Sequence, residues 1–157
     1  MNILGWLFEK KPFFREKFSL VANCHVVLRD EHGKIKDERM IHNTMKNAGI
    51  YGIMDQFLAS PTLAKVGWMA VGTGTPAATL LGTEVDRNAL TSKTRSNAVV
   101  TMVGDWAAGD ATAAITEAGL FDVVTANTVN MWCSASFDVI NKAAGDTLQI
   151  TWTITGS

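Results

Sequence analysis

Leu148, Ile150, Trp152 and Ile154 alternate with Thr147, Gln149, Thr151 and Thr153. This period of two is that of a strand with one buried and one wet face. Other stretches repeat it less cleanly. In residues 18–30, Phe18, Leu20 and Ala22, then Val26 and Leu28, fall on one side. Glu31-His32-Gly33-Lys34 then predicts a hairpin turn, with Gly33 free to take a positive φ. Ile35 to Ile41 is a polar return strand suited to a sheet edge. Lys65–Val71 predicts a strand, and Glu84–Ser92 a partly extended segment. Ala98–Trp106 sets Val99, Thr101 and Val103 against Val100, Met102 and Gly104. Further strands are expected over Ala111–Phe121, interrupted at Gly119, and over Thr128–Phe137, with turns at Ala107–Asp110 and Asn141–Asp146.

One segment changes period. Met45, Ala48, Ile53, Phe57 and Leu58 keep the spacing of an apolar helical face. Asn43 or Thr44 can cap that helix, and Ser60-Pro61 ends it. Gly49 and Gly52 either weaken it or let a neighbouring strand approach closely. Turns about every ten residues in a Thr- and Ala-rich chain point to a mainly β fold, an antiparallel β-sandwich or jelly roll. One short helix (about 44–58) belongs to it. The expected division is an N-terminal arm over residues 1–17 and a single β domain over residues 18–157.

Composition narrows the partners. Hydrophobic residues make up 47% and charged residues 18% of the 157, a low charge fraction that suits surface hidden against neighbours or a large core. The net charge of −1 offers no electrostatic footprint for nucleic acid. Charge is uneven: residues 1–50 carry nine Lys/Arg against six Asp/Glu, and residues 51–157 five against nine. No apolar run approaches the roughly 20 residues of a membrane span, and the start lacks the basic region of a secretory signal. Cys24 and Cys133 have no metal-type spacing and read as buried free thiols.

The arm, MNILGWLFEKKPFFREK, concentrates large apolar side chains: Ile3, Leu4, Trp6, Leu7, Phe8, Phe13 and Phe14. Pro12 breaks any helix there. Three placements suit it: folded back on its own domain, docked on another subunit, or lying as a short helix on a membrane surface.

Candidate chemistry is thin. Gly72-Thr73-Gly74-Thr75-Pro76-Ala77 fits the loose form of a dinucleotide loop, but no helix of adequate length follows and no βαβ unit surrounds it. These glycines better suit a tight strand exit. His25, His32 and His42 lack a carboxylate-rich neighbourhood for a metal. Of the carboxylates near the central strands, Glu84, Asp86 and Glu117, Glu117 reads as a side chain satisfying turn amides and Glu84 as a partner for Arg87 or Arg95. No catalytic residue, cofactor or metal site is therefore expected. Trp68, Trp106, Trp132 and Trp152 fill a sandwich core or, if exposed, stack on sugars.

Four phrases then acquire a further meaning: AVGTGT at Ala70–Thr75, L-x-x-E-V-x-R at Leu81–Arg87, ITEAGLFD at Ile115–Asp122 and DTLQITWTIT at Asp146–Thr155. Their order resembles small structural proteins of tailed bacteriophages and the virion-attached domain of tail-collar fibre proteins. The leading segment, LRDEHGKIKDE followed by HNTMKNAGI, is similar to the front half of such proteins. The chain departs from long fibres in having no shaft after Ser157, and the aromatic arm is not part of the pattern. The resemblance implies a non-enzymatic virion component, on the capsid or at the head or tail attachment region, made in the host cytoplasm. Its partners would be copies of itself, in a trimer or ring, and other virion proteins, without nucleic acid or membrane. Trp6, Leu7, Phe8, Phe13 and Phe14 would be the assembly contacts. The alternative is a β-sandwich that binds carbohydrate or a host receptor.

Overall fold

The computed structural model describes residues 19–157, so the arm and its Trp6, Leu7, Phe8, Phe13 and Phe14 lie outside the described residues. Ten strands and one helix follow in order: β1 (Leu20–Arg29), β2 (Ile35–His42), β3 (Thr44–Met45), α1 (Asn47–Asp55), β4 (Trp68–Gly72), β5 (Glu84–Ala89), β6 (Ser92–Ser96), β7 (Val99–Trp106), β8 (Ala113–Phe121), β9 (Met131–Lys142) and β10 (Thr147–Gly156). They form two five-stranded sheets, ordered β2-β1-β10-β7-β6 and β3-β9-β8-β4-β5. Every strand pair is antiparallel. Among the described residues, the expected β-sandwich with a single short helix is what forms.

The core lies between the sheets. Cys24, Val26 and Leu28 of β1, Leu148, Ile150 and Trp152 of β10, and Met102 and Trp106 of β7 meet Val71, Ile115, Ala118, Leu120, Cys133 and Ala135 of the second sheet. The alternation along β10 is thus the inward face of a central strand, flanked by β1 and β7. The β1–β2 hairpin turns where expected, with Gly33 at φ +80° and its amide donating to the Asp30 carbonyl at 2.9 Å. β2 is an edge strand with a wet face.

The second sheet is covered on its outer face as well. Ala70, Leu81, Phe121 and Met131 form a separate buried cluster there, with Trp68 against it. Leu81 comes from the loop after β4, which therefore lays one buried side chain over this face of the sheet.

Six expectations need correction. The helix is shorter than 44–58: Thr44 and Met45 pair instead with Ser134 and Cys133 of β9. Its N-cap is Lys46, without a side-chain cap bond, rather than Asn43 or Thr44. Its inner face is Gly49, Gly52 and Asp55 rather than the large apolar residues; Phe57 is 80% exposed. The strand expected to break at Gly119 runs through it, paired with Ser134 on one side and Ala70 on the other. A Cβ at Gly119 would come within 2.9 Å of the Met131 sulfur and 3.0 Å of the Phe121 ring, so the glycine serves packing, not interruption. β9 begins and ends later than Thr128–Phe137, and Asn141 and Lys142 are strand rather than turn. β6 was not expected as a separate strand.

Candidate functional site

The central stretch closes on Glu117. Oε1 of this carboxylate accepts the amides of Gly74 and Thr83, and Oε2 that of Gly82, each at 2.9 Å. Thr116 Oγ1 donates to the Gly74 carbonyl at 2.7 Å. β8 thereby pins both ends of the loop after β4, and Glu117 is fully buried. Glu117 does satisfy turn amides, as its sequence context suggests, and the amides replace water around the carboxylate. The Gly-Thr-Gly-Thr loop is the partner of this side chain, which is why it looks like a phosphate cradle yet leads into no helix.

Glu84 and Arg87 form the second fixed point. Their side chains pair through two bonds of 2.8 Å, and each is 2% exposed. The Arg87 guanidinium stacks 3.7 Å from the Phe121 ring centroid and donates to the Val123 carbonyl at 2.9 Å. Glu84 also accepts the Asn127 amide. Of the two partners expected for Glu84, Arg87 is therefore the one used; Arg95 donates to the Asn97 carbonyl instead. A buried bidentate pair of this kind fixes register, because either partner alone would be an uncompensated charge.

A third knot sits at the turn before β10. Lys142 is buried and donates to the carbonyls of Asp146 and Ala107 at 2.7 and 3.0 Å. Burial pushes its ammonium below the usual lysine range. Asp146 accepts from Lys36 Nζ at 2.6 Å and from the Ala143 amide at 2.8 Å. The Lys36 hydrogen bond, then the amide, hold its carboxyl below the usual carboxylate range. The turns after β7 and after β9 and the start of β2 are tied together through these two side chains.

The other candidates are dispersed. His25 bonds Glu38 at 2.9 Å across the β1–β2 hairpin and faces Met40 in the ladder, with His42 opposite Asn23. Among the described residues no three His, Cys, Asp or Glu side chains cluster in the manner of a metal site. Cys24 and Cys133 are buried and unbridged; burial pushes the Cys133 thiol up to about 12 and the Cys24 thiol further. Trp106 and Trp152 are fully buried and cannot stack on a sugar. Trp132 packs against α1, where a Cβ on Gly52 would overlap its indole. Trp68 leans on the outer cluster of the second sheet.

What the sequence reading missed is an apolar surface. α1 turns its glycines inward, and Ile50, Tyr51 and Met54 on it are exposed, as are Phe57 and Leu58 in the turn that follows. Beside them a groove of about 730 Å³ opens between the sheets, reaching Met45 and Ile53 on the helix side. The helical spacing signalled an apolar face, but the glycines, not the apolar residues, met the sheet. The groove has no local signal, because its walls come from segments distant in sequence.

No family model, curated protein or solved structure matches this chain.

Proposed function

We propose that this chain is a non-enzymatic structural component of a tailed-phage virion, as a capsid decoration or head or tail attachment protein, assembling through its N-terminal arm and sheet edges. The observation that carries the assembly part of this reading is the exposure of large apolar side chains along α1 and just after it: Ile50, Tyr51, Met54, Phe57 and Leu58. A contiguous apolar patch on a β body marks a contact surface.

The phage part rests on the four phrases, and the placement of three of them supports treating those three as one unit. Glu117 of ITEAGLFD holds Gly74 of AVGTGT, and Phe121 of the same phrase carries Arg87 of L-x-x-E-V-x-R. Glu84 and Glu117 have their oxygens engaged in structural bonds. The edge strands contribute polar contacts: β2 reads IKDERMIH and β6 SKTRS, and such charged edges resist unselective pairing.

The test is incorporation. Purified particles from cells producing this protein should contain it, and deletion of residues 1–17 should leave a folded body that no longer joins them. Absence of the full-length protein from particles contradicts the proposal; retained incorporation after the deletion removes the arm from it.

A further inference from the structure

The groove between the sheets has apolar walls and a cationic rim. Leu20, Val100, Met102 and Ile154 line it from the first sheet, and Met45 and Trp132 from the second sheet's side. Lys65, Lys93 and Arg95 also line it, and no Asp or Glu is among its described lining residues. Its volume of about 730 Å³ falls within about 300–1,000 Å³, the range of small-molecule sites with apolar walls and a few placed polar groups.

The cations share one side. Lys93 and Arg95 stand opposite Met102 and Val100 in the β6–β7 ladder. Directly opposed residues project to the same face of a sheet, so both cations lie on the core side of an edge strand. Lys93 Nζ donates to the Val66 carbonyl at 2.6 Å. That bond brings β6 against the segment before β4, where Lys65 adjoins Val66. Arg95 donates through Nη1 to the Asn97 carbonyl at 2.6 Å. An ammonium has three donors and a guanidinium five, so Lys93 and Arg95 each keep N–H groups for a ligand. Among the described residues none of the three cations forms an ion pair. Inward charge on an edge strand also deters unselective pairing. That accounts for Lys93 and Arg95 but not for Lys65, which belongs to no strand.

We propose that the groove binds one single-chain anion of the fatty-acid type, its carboxylate on Lys93, Arg95 and Lys65 and its hydrocarbon tail along Met102, Ile154 and Trp132. Charge selects this occupant. A carboxylate accepts from ammonium and guanidinium groups in short, charge-assisted hydrogen bonds. The tail meets Met45 and Met102, unbranched side chains that adapt to a flexible partner. The chain's own residues 1–17 suit the apolar walls, but they bring Lys10, Lys11, Arg15 and Lys17 against Glu9 and Glu16. That excess has the sign of the rim, and like charges brought together oppose binding.

The test titrates the full-length chain with dodecanoate below its micelle concentration, in a calorimeter, with dodecyltrimethylammonium as the probe of opposite charge. One dodecanoate per chain should bind, at least about 10-fold more tightly than the cation. Lys93→Glu/Arg95→Glu, at exposed positions of β6, should weaken dodecanoate at least about 10-fold and abolish the preference for the anion. Ala98→Trp narrows the groove from an exposed lining position and should weaken both probes. Phe57→Ser, outside the groove's lining, should alter neither. Urea midpoints close to wild type establish that each variant is folded. Failure of the full-length chain to bind dodecanoate, as when its own arm or a partner peptide fills the groove, overturns the proposal. Equal affinity for the two probes overturns it too, as does dodecanoate binding that survives both groove variants.

Discussion

Glu117 accepts the Gly74 amide at 2.9 Å across 43 positions of sequence, and the same carboxylate ties both ends of the loop from Gly74 to Thr83. Its three amide bonds leave no room for a silent substitution. Glu117→Ala should cost about 3–5 kcal/mol, since three buried N–H groups lose their acceptor at about 1–3 kcal/mol each without full additivity. Glu117→Gln should cost less but still about 1–3 kcal/mol, because an amide NH₂ must face one of the donors. Urea unfolding followed by circular dichroism measures both. A Glu117→Ala midpoint equal to the wild type contradicts this account of the loop.

The helix contact sets two opposed effects against each other. Gly52→Ala gains up to about 1 kcal/mol of helix propensity, but the new methyl overlaps the Trp132 indole, and overpacking costs about 1–3 kcal/mol or more. The clash wins, so the variant should be less stable. Gly52→Ala combined with Trp132→Leu should recover part of the loss. If the single variant melts at a higher temperature than wild type, α1 does not sit on Trp132 as described.

The exposed turn after α1 should behave in the opposite way. Phe57 is exposed, so Phe57→Ser should change stability by no more than about 0.5 kcal/mol. Self-association measured by sedimentation velocity should nevertheless weaken. A stability loss without a change in association would make Phe57 a packing residue and not a contact.

Acid should loosen the fold through its aspartates. Asp146, Asp37 and Asp55 all lie below the usual carboxylate range, held there first by Lys36, by Arg39 and by the Leu63 amide respectively. A depressed folded value gives stability that is fully present above the unfolded value, near about 4. It is lost as pH falls through the lower folded value. Urea midpoints should be level from pH 7 to 5 and fall towards pH 3. Asp146→Asn should be weaker at pH 7 and fall less steeply, and an identical slope to wild type would rule out its contribution.

How much of this was legible depends on where each signal is stored. β10 and the β1–β2 hairpin were readable because one residue in two is apolar and Gly33 marks the turn. Glu117 was readable as an amide acceptor because Ala-Gly after it leaves little side chain in the way. β6 was not: SKTRS is exposed along its whole length, so only its pairing with β7 makes it a strand. The helix boundary failed because Thr44 and Met45 are claimed by β9, a tertiary contact that outweighs a local cap. The close approach of a strand at Gly49 and Gly52 was one of the two readings these glycines offered, and Trp132 of β9 makes it; the groove depends on segments far apart in sequence, and no local pattern encodes it.

The central claim is that copies of this chain join one another. The most direct measurement is the absolute mass of the full-length protein by light scattering over a 100-fold range of concentration. A discrete trimer or larger ring that survives moderate dilution is the expected result, and a single monomeric mass at every concentration would contradict it.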